Sequence, residues 1–179
     1  NHIFPGFFGG FLGPGTDPLF ISQHPNDKSF SPFPPVDRPG RLLDRQRLLA
    51  RLDSQARLIE RSSRVRNLGE YYQQAMTLLT SPQARRAFDL GTEAPALRDR
   101  YGQTPFGQGC LLARRLVESG TRFVGLTFES QLNGKQGAGQ WDTHGNNFKL
   151  LKNFLLPTLD QCYSALVEDL HVRGMLDDT

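Results

Sequence analysis

Apolar residues recur every three or four positions along much of this chain, and that spacing predicts amphipathic helices. Two helices are predicted over residues 41–66 and 70–79. Four more follow, over residues 82–88, 94–101, 104–119 and 148–172. The long last helix contains Pro157, which lacks a backbone N–H and therefore predicts a kink or a break at that point.

Start and stop signals support the helices in the second half of the chain. Ser81-Pro82 and Thr104-Pro105 each place a side-chain hydroxyl before a proline, an order typical of a helix N-terminus. Glycines that suit a helix C-terminus then follow three of the predicted helices, at Gly91, Gly120 and Gly174.

A different pattern interrupts the helices at residues 121–128, which read Thr-Arg-Phe-Val-Gly-Leu-Thr-Phe. This short apolar run predicts a β-strand. The order helix, glycine, strand, loop, helix is typical of a sheet covered by helices, so we expect an α/β fold.

Glycine and proline are concentrated in residues 1–40, together with several phenylalanines. That composition disfavours long helices and strands, and we expect an irregular arm there. Residues 41–179 are then expected to form a helical and αβα part of a larger domain. Because the chain starts without methionine and stops in a polar turn, we expect it to be an internal fragment of a longer protein.

The charge balance is mildly positive, at +3, and arginine carries much of it. Eight arginines lie between residues 41 and 66, which raises the possibility of nucleic-acid binding. Asp44, Asp53 and Glu60 are interleaved with them, however, so a solvated helix face is the better interpretation and no nucleic acid is expected as a partner. No apolar run is long enough for a transmembrane segment.

The two cysteines, Cys110 and Cys162, fall on predicted apolar helix faces. We expect both to be buried as small hydrophobic side chains. Their spacing does not indicate a metal or redox motif, and a disulfide between them stays open.

The densest group of chemically active side chains lies in residues 140–147, between the predicted strand and the last helix. By residue type, Asp142 and His144 are suited to bind a metal or to act as an acid–base pair. Asn146 or Asn147 could cap the helix or join a site. The competing interpretation is structural, with Asp142 capping a turn and His144 bonded to a backbone carbonyl. Residue types alone leave both open.

Several longer strings resemble one bacterial protein family, DUF1501, which is abundant in planctomycetes. The strings cover nearly the whole chain in the family's order: residues 71–75 (YYQQA), 79–90 (LTSPQARRAFDL), 98–102 (RDRYG), 106–118 (FGQGCLLARRLVE) and 141–147 (WDTHGNN). The resemblance implies a sulfatase-like member of the alkaline phosphatase superfamily with a three-layer αβα fold.

The implied activity is metal-dependent hydrolysis of phosphate or sulfate esters, on an anionic small molecule or a glycan ester. Asp142 and His144 match the family string and are implied as ligands of a divalent metal (Zn, Mn, Mg or Ca). His144 is also implied as a catalytic proton donor, and Asn146 and Asn147 as substrate-binding residues. The parent protein is expected to be extracytoplasmic, in the periplasm or secreted.

Two features depart from the pattern that the resemblance implies. The superfamily commonly sets its Asp and His four positions apart, whereas His144 follows Asp142 by two. The family's nucleophile segment and its downstream ligand strings are also absent from this chain, so we expect it to be inactive alone. The alternative is a non-catalytic domain of the same fold, used for binding or for assembly at the cell surface.

Overall fold

The computed structural model describes residues 8–13, 16–28, 30, 81–128 and 141–179. The chain divides into two compact units, one of residues 1–22 and 31–81 and the other of residues 23–30 and 82–179. The predicted boundary at residue 40, the helices over 41–66 and 70–79 and the loop over 129–140 lie outside the described residues.

The described part of the first unit is short and irregular. A single 3-10 turn spans Gly10–Leu12, and the Leu12 N–H donates to the Gly9 carbonyl at 2.9 Å. The backbone N–H of Gly9 also donates to the Asp17 carboxylate at 2.8 Å, which closes the segment into a loop.

The described part of the second unit is built from helices. They are α1 (Pro82–Phe88), α2 (Pro95–Tyr101), α3 (Pro105–Glu118), α4 (Asn147–Leu150) and α5 (Leu156–Val172), with short 3-10 turns at Leu90–Thr92 and Leu176–Asp178. Helix α3 lies at the centre of this unit, since α1, α2 and α5 all pack against it. The predicted helices at residues 82–88, 94–101 and 104–119 are therefore confirmed.

Local chemistry accounts for the start of α3. The Thr104 hydroxyl accepts a hydrogen bond from the Gly107 N–H at 3.1 Å, as expected of an N-cap residue. Gln108 fixes the turn before it, because its buried amide donates to the carbonyls of Arg98 and Gly102, each at 2.9 Å. Gly107 is required there: a Cβ would lie 2.6 Å from the Gly102 carbonyl oxygen.

The last helical run is continuous from residue 147 to residue 172, but it widens into a π-helical turn at Leu151–Leu155. The Leu156 N–H bonds to the Leu151 carbonyl, five residues back. Pro157 directly follows. It has no N–H to donate to the Asn153 carbonyl, and in a regular α-helix its ring would clash with that carbonyl. The irregularity predicted at Pro157 thus occurs as a π turn just before it.

The prediction of an α/β fold with a three-layer αβα arrangement is wrong for the described residues, which are mostly helical and contain no strand or sheet. Residues 121–128 follow α3 without strand pairing. Phe123 in this segment is 87% exposed, whereas Phe128 stacks on Phe106 with ring centroids 4.3 Å apart. Part of the apolar pattern that predicted a strand therefore reflects aromatic packing. A strand also needs a partner strand, which apolar spacing alone does not supply.

An ionic cluster lies in the core between α3 and α5. The Arg114 side chain is fully buried and contacts Glu93 at 2.8 Å, Glu118 at 2.6 Å and Asp169 at 2.9 Å. The Asp169 contact is an ion pair and not a hydrogen bond, because the Arg114 Nε–H finds no hydrogen-bond partner among the residues that the structure describes. Helix α5 is thereby held to α3 by charge as well as by apolar packing.

Candidate functional site

The Asp142 and His144 side chains meet in the structure. His144 Nε2 lies 2.8 Å from Asp142 Oδ2, and the two side chains are 77% (Asp142) and 87% (His144) exposed. An ion pair this open to solvent contributes little to folding. Stability therefore does not account for the pair, and both groups are open to a ligand from solution.

The backbone around the pair forms a compact turn. The Thr143 N–H donates to the Trp141 carbonyl at 3.0 Å, and the Thr143 hydroxyl donates to the Asn147 side-chain oxygen. Asn146 adopts a left-handed conformation with φ of 57°, the only non-glycine residue with positive φ among those described. Asparagine tolerates this region better than most residues, which suits it to the reversal before α4.

Neither Asn146 nor Asn147 caps the helix through its side chain in the usual way. Asn146 sits at the N-cap position, but its side chain makes no capping hydrogen bond, while its carbonyl accepts from the Leu150 N–H at 3.0 Å. Asn147 begins the helix and bonds Thr143. Both side chains are exposed on the same turn as the Asp142–His144 pair.

A shallow cavity of about 330 Å³ adjoins this turn. It is lined by one face of the helical run, from Asn146 and Lys149 to the residues of the π turn, Asn153 and Phe154. Asn146 therefore belongs both to the turn and to the cavity. Two amides and an ammonium group give its lining hydrogen-bond donors, which suit an anionic or hydroxylated ligand.

Trp141 is anchored by an aromatic stack that the sequence did not indicate. Its ring meets Phe128 edge to face, with centroids 5.6 Å apart, and Phe128 in turn stacks on Phe106 of α3. Such pairs add to the packing of the rings beyond simple burial. The stack connects the start of α3 to the residue directly before Asp142, so it fixes one side of the turn.

The buried cluster around Arg114 differs from the exposed pair. Burial acts to raise the pKa of Glu93, but hydrogen bonds from Arg114 and Arg115 outweigh it and hold this pKa below its ordinary value. Burial, followed by the nearby Asp169 carboxylate, raises the pKa of Tyr101, whose hydroxyl donates to Asp169 at 3.0 Å. Each carboxylate in this cluster faces an arginine, so the cluster is structural.

The donor set at residues 142–144 can be compared with what a metal requires. Two ligands on one tetrahedral ion, each about 2.1 Å from it, lie roughly 3.4 Å apart. The 2.8 Å between Asp142 and His144 is shorter by about half an ångström, a change that rotation of exposed side chains supplies. Among the described residues, no three His, Cys, Asp or Glu side chains are grouped to hold a metal ion.

Fold and site together define a helical protein with an exposed Asp–His pair at the start of its last helical run. The chain belongs to DUF1501, a family described as a protein of unknown function, whose model matches residues 6–179. No curated protein and no solved structure matches the chain. Within the part of the chain that the structure describes, no helix has the length and apolar character needed to cross a membrane.

Proposed function

We propose that this chain contributes Asp142 and His144 to a divalent-metal site that hydrolyses phosphate or sulfate esters in a sulfatase-like protein of the alkaline phosphatase superfamily. The observation that carries the proposal is the 2.8 Å contact between two side chains that solvent reaches freely. Carboxylate oxygen and imidazole nitrogen suit Zn²⁺ and Mn²⁺ in particular. Asp142 and His144 would hold the metal, which would supply Lewis-acid chemistry to polarise the ester and lower the pKa of a nucleophile.

The contact between Asp142 and His144 allows three assignments of their roles. In the first, Asp142 and His144 both bind the metal. In the second, His144 donates its Nε2–H to Asp142, which leaves the Nδ1 lone pair for the metal, as in carboxylate–histidine–metal arrangements. In the third, His144 does not bind the metal, and Asp142 would orient its ring so that an Nδ1–H could pass a proton to a leaving group.

The substrate is an anionic ester, of a small molecule or of a glycan. Asn146 and Asn147 are exposed beside the pair and would donate to ester or hydroxyl oxygens. Lys149 lines the adjoining cavity and would favour a negative group there. From the family resemblance, we further propose that the parent protein is extracytoplasmic, in the periplasm or secreted.

Because this chain is expected to be inactive alone, the test is turnover of aryl phosphate and aryl sulfate by the full-length protein that contains it, with Zn²⁺, Mn²⁺, Mg²⁺ or Ca²⁺ supplied in turn. We expect metal-dependent hydrolysis that falls by about 100-fold or more in Asp142→Asn and in His144→Gln. Asp160→Asn and His171→Gln are matched controls, since both residues are exposed on α5 away from the turn. Absence of turnover with every metal, or equal turnover in all four variants, would overturn the proposal.

A second candidate is a non-catalytic domain that binds a partner or takes part in assembly at the cell surface. The observation that favours it is exposed aromatic surface, with Phe123 at 87% and Phe148 at 86%. Exposed apolar side chains of this size are typical of contact surfaces when they are grouped. Self-association that Phe123→Ser and Phe148→Ser abolish, in a protein without esterase turnover, would favour this candidate over the hydrolase.

A further inference from the structure

The two cysteines of the chain lie opposite each other across the interface between two core helices. Cys110 is in α3 and Cys162 is in α5, and both side chains are buried. Helices α3 and α5 pack directly against each other. Residues more than fifty positions apart in sequence are thus brought into one place by the fold.

The two thiols interact with each other. The Cys162 S–H donates to the Leu159 carbonyl at 3.3 Å, and a hydrogen-bonding interaction with Cys162, followed by burial, raises the pKa of the Cys110 thiol. We propose that Cys110 and Cys162 form an intramolecular disulfide that fastens α3 to α5. Formation of this bond brings the two sulfurs to about 2.05 Å from each other.

The reaction that makes the bond removes two protons and two electrons from the pair. Both S–H bonds break, one S–S bond forms, and the electrons pass to a disulfide of a thiol–disulfide oxidoreductase or of oxidised glutathione, which becomes a pair of thiols. Because both sulfurs are buried in the folded unit, the exchange takes place before α3 and α5 have docked. Burial then shields the finished bond from reductants.

The bond would act on the candidate site through the chain that it encloses. The closed loop contains residues 111–161, and Asp142, His144 and Asn147 are among them. Cys162 also lies on the helical run that begins at Asn147. Fixing this run against α3 restricts the turn that carries the Asp–His pair. Loop closure of this size predicts a melting temperature about 10 °C higher in the oxidised chain than in the reduced one.

Thiol titration of the unfolded chain is the direct test, because no cysteine other than these two is present. The full chain is reduced and unfolded, refolded in the presence of oxidised and reduced glutathione, freed of glutathione, and then unfolded again in guanidinium and titrated with DTNB. We expect no free thiol in the monomer and two after reduction with dithiothreitol. The Cys162→Ser variant is expected to keep one titratable thiol, or its mixed disulfide with glutathione, and to show no rise in melting temperature on oxidation.

Two results would overturn the inference. One is a monomer that keeps both thiols after oxidation. The other is a disulfide-linked dimer on a non-reducing gel in place of the bridged monomer. The Cys110→Ala/Cys162→Ala variant serves as a folding control, because its melting temperature should be the same with either form of glutathione. The test does not depend on metal binding or ester hydrolysis.

Discussion

Replacement of Arg114 by methionine tests the energetic importance of the buried ionic cluster. Methionine keeps most of the apolar stem of arginine but removes the guanidinium group. In the native chain that group is fully buried and faces Glu93, Glu118 and Asp169 at 2.6–2.9 Å. Glu93 and Asp169 are themselves only 11% and 8% exposed, so they would be left as buried carboxylates without this partner.

The expected loss follows from that burial. Removing one partner of a buried ion pair costs about 3–5 kcal/mol, because the remaining charge is not returned to water. Arg115 and Arg173 still contact members of the cluster, and they place the expected loss near the lower end of that range. For a chain of this size, about 3 kcal/mol lowers the melting temperature by roughly 6–12 °C.

The assay is urea unfolding followed by circular dichroism at 222 nm, with thermal melts as a second measure. Arg100→Met is the matched control, because Arg100 pairs with Glu168 at 3.1 Å while the two side chains are 45% and 63% exposed. An exposed pair contributes less than about 1 kcal/mol. Equal losses of stability in Arg114→Met and Arg100→Met would refute the reasoning, since burial would then have no energetic consequence.

Three further predictions concern the same helical unit. Because the pKa of Glu93 is lowered on folding, the stabilisation that its carboxylate confers is present above pH about 4.5 and is lost as pH falls through the folded-state pKa. The urea midpoint should therefore fall on acidification, and it should fall less steeply in Glu93→Gln. Gly107→Ala should cost about 1–3 kcal/mol, because the new Cβ meets the Gly102 carbonyl oxygen at 2.6 Å. Thr104→Ala should cost about 1 kcal/mol through loss of the N-cap hydrogen bond at the start of α3.

Each of these has a control within the chain. Gly125→Ala places its Cβ 3.8 Å from the nearest side-chain atom, an ordinary contact, and should leave stability unchanged. Thr104→Ser retains the capping hydroxyl and should recover most of the loss. Identical acid profiles for the native chain and Glu93→Gln would show that this carboxyl does not contribute to the pH dependence.

Helix boundaries in the second half of the chain could be predicted because their signals are local. Thr104-Pro105 marks the start of α3, and Gly120 and Gly174 adopt positive φ just after α3 and α5. Capping and left-handed termination depend on the neighbouring residues alone, so the sequence contains the necessary information. The prediction that both cysteines are buried is confirmed for the same reason, since they lie on apolar helix faces.

The wrong strand and the unforeseen core cluster both depend on contacts distant in sequence. Residues 121–128 have the composition of a strand, but a strand also needs a partner, which composition does not specify. Arg114 is a charged residue within the apolar part of α3, yet it is buried because Glu93 and Asp169 reach it from other elements. The sequence did contain one signal of this burial: Arg114 recurs at helical spacing on one face of α3, together with Gly107, Leu111 and Glu118.

The candidate site was predictable in its members and not in its geometry. Residue types singled out Asp142 and His144, and the structure brings them into contact. The left-handed turn at Asn146 and the support of Trp141 by Phe128 come from backbone conformation and long-range packing. Their roles as metal ligands, and those of Asn146 and Asn147 toward substrate, stay predictions.

Metal binding by the purified full chain tests the central claim most directly. The chain has a single tryptophan, Trp141, directly before Asp142, so its fluorescence during titration with Zn²⁺ or Mn²⁺ reports on this turn, and metal content after dialysis gives the stoichiometry. We predict saturable binding that is weakened at least about tenfold in Asp142→Asn and in His144→Gln, and unchanged in Asp160→Asn and His171→Gln. Unchanged metal content and fluorescence response in the first two variants would contradict the account.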